Sequence, residues 1–225
     1  MMIEQGPKTY HAALDAEDAK QSKEAIGKEV ASMESHDVFT FVEKVPDGAS
    51  MIESRWLRGR KPIANQTIDK WKVRLVGRSD LQNPGDYSDI TSPVIDSALI
   101  GLALGLAAKH DLEIAVLNIP TASLGCHLHE TLDMPLPDGE WPDPYGHTRP
   151  LVKQKKTLYG IKQANREYYE EIFDFKVHDL NLQASIAAPG LFFGGNLESN
   201  GVVNPIYIND IMIIGKSVLI NSIAS

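Results

Sequence analysis

The sequence predicts an α+β fold, and three observations carry that prediction. Residues 11 to 36 place apolar side chains at helical spacing. Residues 38 to 43, 51 to 57 and 71 to 76 read as strands. Residues 204 to 215 pair two β-branched runs, Ile206–Ile208 and Ile211–Ile214, around Asn209 and Asp210. The full order is helix, three strands, helix, strand, helix and hairpin, which is an α+β pattern.

The first helix is rich in Ala, Glu and Lys, with Ala25, Ile26, Val30 and Met33 on one face. Pro46-Asp47-Gly48 is a turn. Between Arg55 and Arg78, eight cations (Arg55, Arg58, Arg60, Lys61, Lys70, Lys72, Arg74, Arg78) face one acid, Asp69. Such a run is either a solvated hairpin face or a polyanion site. Residues 82 to 93 read as loop. Residues 95 to 109 are Ala- and Leu-rich, and Gly101 and Gly105, four apart, predict a helix packed closely on a neighbour. Leu112 to Ile119 is an apolar strand with Glu113 as its one charge. His127 and His129 would share a strand face, as two metal ligands or as structural or solvent-facing side chains. Pro135 to Pro150 reads as a surface loop carrying Trp141. A second basic stretch runs from Lys153 through Lys162 to Arg166, and Leu158 to Ile161 is a compact turn within it. Glu167 to Leu180 reads as a helix with Tyr168, Ile172, Phe175 and Leu180 inward. In the hairpin, Asn209-Asp210 is either good turn chemistry or a polar tip that holds a metal.

The 225 residues suffice for one large domain or two small ones. A single cysteine, Cys126, excludes an internal disulfide framework and fits a reducing compartment. Met1 to Tyr10 lacks the apolar core of a secretory signal, and no apolar run is long enough to span a bilayer. An intracellular location, cytoplasmic or nuclear, is expected. The net charge of −8 argues against nucleic acid as a partner, except where charge is segregated as between Arg55 and Arg78.

Taken together, the motifs resemble the copia-type reverse transcriptase of LTR retrotransposons. The similarity includes Glu24-Ala25 with Glu29, Arg55-Trp56, Lys72-Val-Arg-Leu-Val76, and Gly85-Asp-Tyr87 through Ser92-Pro-Val94. It continues through Leu117-Asn-Ile119 with Thr121-Ala122 and Leu124, Leu158-Tyr-Gly-Ile-Lys-Gln-Ala164 with Arg166, and Tyr207-Ile-Asn-Asp210. The resemblance implies a fingers–palm fold, with 1–10 a tail, 11–94 fingers-like and 95–225 palm-like, and with thumb and RNase H regions absent. It implies RNA-directed DNA polymerase activity with two divalent ions, Mg²⁺ or Mn²⁺, on a primer–template and an incoming dNTP. It also implies a parent polyprotein and no membrane partner. Lys72 and Arg74 would face the triphosphate, and Gln163 the nucleotide or template. Tyr207 is either hairpin core or a platform for the primer end.

The sequence departs from the family where the metals bind. Asn118 and Asn209 stand where the family has aspartate, and only Asp210 keeps its carboxylate. Each asparagine is neutral and offers one oxygen instead of two. Mg²⁺ is drawn to carboxylates, so tight metal binding is not expected and the chemistry is expected to be lost. Ser123, Asn165, Ala188 and Asp96 are further departures. A non-catalytic nucleic-acid-binding module is the alternative.

Overall fold

The computed structural model describes residues 4–5, 10–11, 15, 18–62 and 68–216. Its elements in chain order are β1 (Glu4–Gln5), α1 (Ala19–Ser35), β2 (Phe39–Val42), β3 (Ser54–Pro62), β4 (Ile68–Gly77), α2 (Ser97–Lys109) and β5 (Glu113–Asn118). Then come a short α3 (Ala122–Gly125), β6 (Asp133–Pro135), β7 (Leu151–Gln154), α4 (Ala164–Asp174), a π turn (Phe175–Asp179), β8 (Gln183–Ala184), β9 (Leu191–Gly194), β10 (Val202–Tyr207) and β11 (Asp210–Gly215). The mixed helix and sheet content agrees with the α+β expectation. The chain forms two compact units, each discontinuous in sequence: residues up to Ile90 with Ser123–Ala164, and Thr91–Ala122 with Asn165 onward.

The first unit contains two three-stranded sheets, ordered β1-β3-β4 and β2-β7-β6. β3 and β4 form a long antiparallel hairpin, and α1 packs on β4 through Ile26 and Met33, which join Val73 and Leu75 in the core. Strand alternation divides the basic run between Arg55 and Arg78. Arg55 and Lys72 are exposed, whereas Arg58 is buried and its guanidinium is shifted down by desolvation. Arg78 pairs with Asp80 at 2.7 Å. The run is therefore not one continuous cationic face, and the side chains of Arg60, Lys61 and Lys70 lie outside the described residues. Trp141 pins the loop between β6 and β7 by stacking on Trp56, with ring centroids 5.3 Å apart and planes 4° apart. Gly160 has φ +83, and a Cβ there would meet the Gly77 carbonyl oxygen at 2.6 Å, so the turn at Leu158–Ile161 needs its glycine.

The second unit is built on an antiparallel five-stranded sheet ordered β5-β11-β10-β9-β8. Phe192, Ile206, Ile211 and Ile213 pack with Ile172, Phe173 and Val177. Val203 and Ile214 pack with Ala103 and Ala107 of α2.

The structure departs from the sequence pattern at α2, at the end of α4 and around His127. Gly101 and Gly105 are exposed, and no described residue lies within 4 Å of an added Cβ, so among the described residues α2 packs through its alanines and not its glycines. The final helix does not run unbroken to Leu180. It passes into the π turn, where the Leu180 amide donates to the Phe175 carbonyl at 3.1 Å. The wider turn shifts the helical phase, leaving Phe175 46% exposed and Lys176 buried. The segment around His127 and His129 is not a strand, having only an isolated bridge from His127 to Lys156, and both histidines are exposed. Asp96, one of the departures from the family pattern, caps α2 by accepting from the Ala98 amide at 2.7 Å.

Candidate functional site

In the second unit, the end of β5 and the start of β11 bring three of the expected residues together. Asn118 pairs with Asp210 in the ladder, and its Nδ2 donates to Asp210 Oδ1 at 2.7 Å. The next amide, Ile119, donates to the Asn209 carbonyl at 3.1 Å. Asn118 and Asp210 are exposed and Asn209 is half-buried. The turn is not Asn209-Asp210 as the sequence suggested. Tyr207 pairs with Asp210, so the two turn residues are Ile208 and Asn209, and Asp210 opens β11. Ile208 takes φ +54, which a β-branched residue adopts only under strain. Among the described residues, the donor set at this tip is one carboxylate, Asp210, and two amides, Asn118 and Asn209. Glu113 pairs with Gly215 at the other end of β5 and brings no charge to the tip.

Tyr207 is 49% exposed, which removes the hairpin-core alternative. With Asp210 it lines a hollow of about 230 Å³ whose other walls are apolar, including Ile100, Val116 and Met212.

The first unit holds the expected nucleotide-binding residues. Lys72 is exposed on β4. Arg74 is half-buried: its Nη1 donates to Glu29 Oε2 at 3.0 Å, and its guanidinium lies 4.7 Å from the centre of the Tyr159 ring. Glu29 Oε1 accepts from the Leu75 amide at 3.2 Å. Burial pushes the Glu29 carboxyl up, and Arg74 pulls it partly back. Glu29, Lys72 and Arg74, with Lys28 and Ser32 of α1, border a groove of about 350 Å³ between α1 and β4.

Gln163 is 1% exposed and is not presented to solvent. Its Oε1 accepts from Gln82 Nε2 at 2.8 Å, and its Nε2 donates to the Asp86 carbonyl at 3.4 Å. Lys162 joins the same clasp, its amide donating to Gln82 Oε1 at 3.1 Å and its ammonium lying 4.6 Å from the centre of the Tyr87 ring. In the second basic stretch, Lys155 pairs with Asp37 at 2.7 Å and Arg166 with Glu170.

Sequence reasoning gave no role to Glu29 or Tyr159, although both lie in quoted motifs. The available signal was a carboxylate on an apolar helix stripe, three residues after Ile26 and four before Met33. A charge in that place needs a partner.

Among the described residues, no helix is long and apolar enough to cross a membrane. The model of the family described as "Reverse transcriptase (RNA-dependent DNA polymerase)" matches residues 36–223. The Retrovirus-related Pol polyprotein from transposon TNT 1-94 of Nicotiana tabacum is 29% identical over 211 residues, 93% of this chain and 16% of that protein. The corresponding polyprotein from transposon RE1 of Arabidopsis thaliana is 29% identical over 219 residues, 96% of this chain and 14% of that protein. The Transposon Ty1-MR1 Gag-Pol polyprotein of Saccharomyces cerevisiae is 25% identical over 209 residues, 90% of this chain and 11% of that protein. The chain thus spans between 11% and 16% of the length of these relatives. With a family match over most of its length and its motifs in order, the chain belongs to the reverse transcriptase (RNA-dependent DNA polymerase) family, in its copia type.

Proposed function

We propose that this chain is a fingers–palm region of a retrotransposon reverse transcriptase whose nucleotidyl-transfer chemistry has been lost. In this reading the β3–β4 hairpin and α1 are fingers-like, and the sheet carrying Asn118 and Asp210 is palm-like. Lys72 faces the triphosphate of a dNTP, Tyr207 supports the primer end, and Gln163 holds the Gln82–Asp86 loop in place. The partners are a primer–template and a parent Pol polyprotein, inside the cell.

The observation that carries the reading is the 2.7 Å hydrogen bond from Asn118 to Asp210. Without a cation, it satisfies one oxygen of Asp210, the one carboxylate at the tip among the described residues. Two divalent ions held together need several anionic oxygens. The residues present at the tip, Asn118, Asn209 and Asp210, do not supply them. Asparagine nearly matches aspartate in shape, which is why the strand ends can keep their register after the charge is gone.

Primer extension on an RNA template with Mg²⁺ or Mn²⁺ tests this, comparing the chain with its Asn118→Asp/Asn209→Asp double variant. Extension by the double variant alone is expected. Extension by the unaltered chain would overturn the reading. A second reading, a non-catalytic nucleic-acid-binding module, is favoured by the exposure of Arg55, Lys72 and Lys153. It predicts that primer–template binding is lost when those three are neutralised and is unaffected by the double variant.

A further inference from the structure

The groove between α1 and β4 has an acid among its cations. Lys28 and Lys72 are exposed at its border, but Arg74 is turned to Glu29. The Glu29 side chain is 4% exposed and is held from two directions, by Arg74 Nη1 at 3.0 Å and by the Leu75 amide at 3.2 Å. The Tyr159 ring packs on the guanidinium and fixes it further. A carboxylate so placed gives Arg74 the anionic oxygen that a phosphate would give. A buried carboxylate is also costly to strip of its cation.

We propose that Glu29 is a built-in competitor for Arg74: a phosphate chain entering the groove is held by Lys28 and Lys72, and engages Arg74 only by displacing Glu29. The inference deepens the reading of this groove as a triphosphate site and rests on it. Without ligand, Arg74 is a positioning residue that ties β4 to α1. Glu29 then sets how tightly the groove binds phosphate. Burial raises the Glu29 carboxyl, so the charge is poorly tolerated there and depends on Arg74. Glutamine is the informative replacement. It can still accept from the Leu75 amide but no longer holds the guanidinium by charge.

The test is calorimetric binding of inorganic tripolyphosphate to the whole chain, across a salt series, with folding checked by thermal melts. Glu29→Gln should tighten binding about two- to five-fold, the range that release of one ion pair supports. It should also steepen the salt dependence by about one phosphate contact, because Arg74 now engages the ligand. In an Arg74→Gln background the Glu29 substitution should tighten binding much less, because only its charge on Lys72 is then relieved. Should that background fail to fold, the salt slope of Glu29→Gln alone decides. Unchanged or weaker binding by Glu29→Gln, tightening with an unchanged slope, or equal tightening in both backgrounds overturns the proposal. If the unaltered chain binds tripolyphosphate and Lys72→Gln weakens it, while Glu29→Gln has no effect, only the competitor role falls. If no variant binds, the triphosphate reading of the groove falls with it.

Discussion

Lys176 lies in the π turn with 3% of its surface exposed, and burial lowers its pKa to about 8. Below about pH 8 the ammonium is charged in the folded and unfolded chain alike, so the full cost of burying it is present. Between about 8 and its ordinary value of 10.5 the folded chain has released the proton and the unfolded chain has not, so stability rises with pH across that window. Lys176→Met should therefore stabilise the protein at pH 7 by about 1–2 kcal/mol, after allowing for solvent screening. That gain should fade as pH approaches 10.5, as denaturant melts at several pH values would show. The tip residues behave differently. Asn118 and Asp210 are exposed and joined to each other, so the loss of charge there is expected to alter chemistry far more than stability.

At the scale of elements, α2 offers a direct check on how the fold is held. Its buried face is Ala103 and Ala107, and its two glycines meet no neighbour among the described residues. Gly101→Ala and Gly105→Ala should each stabilise by about 0.5–1 kcal/mol, because alanine lowers the entropy lost on forming an exposed helix. Loss of stability on thermal melting would mean that the open face is packed. The sequence made this helix legible but not its buried side, since spaced glycines signal close approach and open surface equally. It made the hairpin legible too, and placed its turn one residue late. Asn and Asp are favoured turn residues, whereas Ile208 adopts a positive φ that its type disfavours. The phase change after Asp174 had no local signal, because a π turn depends on packing against the sheet. The motif around Gln163 points to a nucleotide or template contact, whereas its burial depends on partners distant in sequence, Gln82 and Asp86. The residues at the tip were legible because strand alternation and the family motifs agree on them.

For the whole molecule, the net charge is −8, and the pairing of Arg74, Arg78, Lys155 and Arg166 with acids takes four cations of the two basic stretches out of ready reach of phosphates. Affinity for a primer–template should therefore be weak and should fall only gently with salt, with a log–log slope no steeper than about −3. A filter-binding series from 50 to 200 mM salt would read this directly, a range over which tight polyanion binders lose several decades (roughly 10³–10⁵). Each unit is assembled from two separated stretches of chain, and β5 takes its ladder partner from β11, with Asn118 opposite Asp210. During synthesis, then, the ribosome delivers β5 long before the strand that must cover its edge. The apolar run Ile114 to Leu117 waits through the making of the whole returning segment, Ser123–Ala164, which belongs to the other unit. Non-local pairing of this kind is slow to form and open to wrong partners while it waits. The birth order of the strands, more than their final stability, sets the interval in which a nascent chain of this topology is exposed to aggregation.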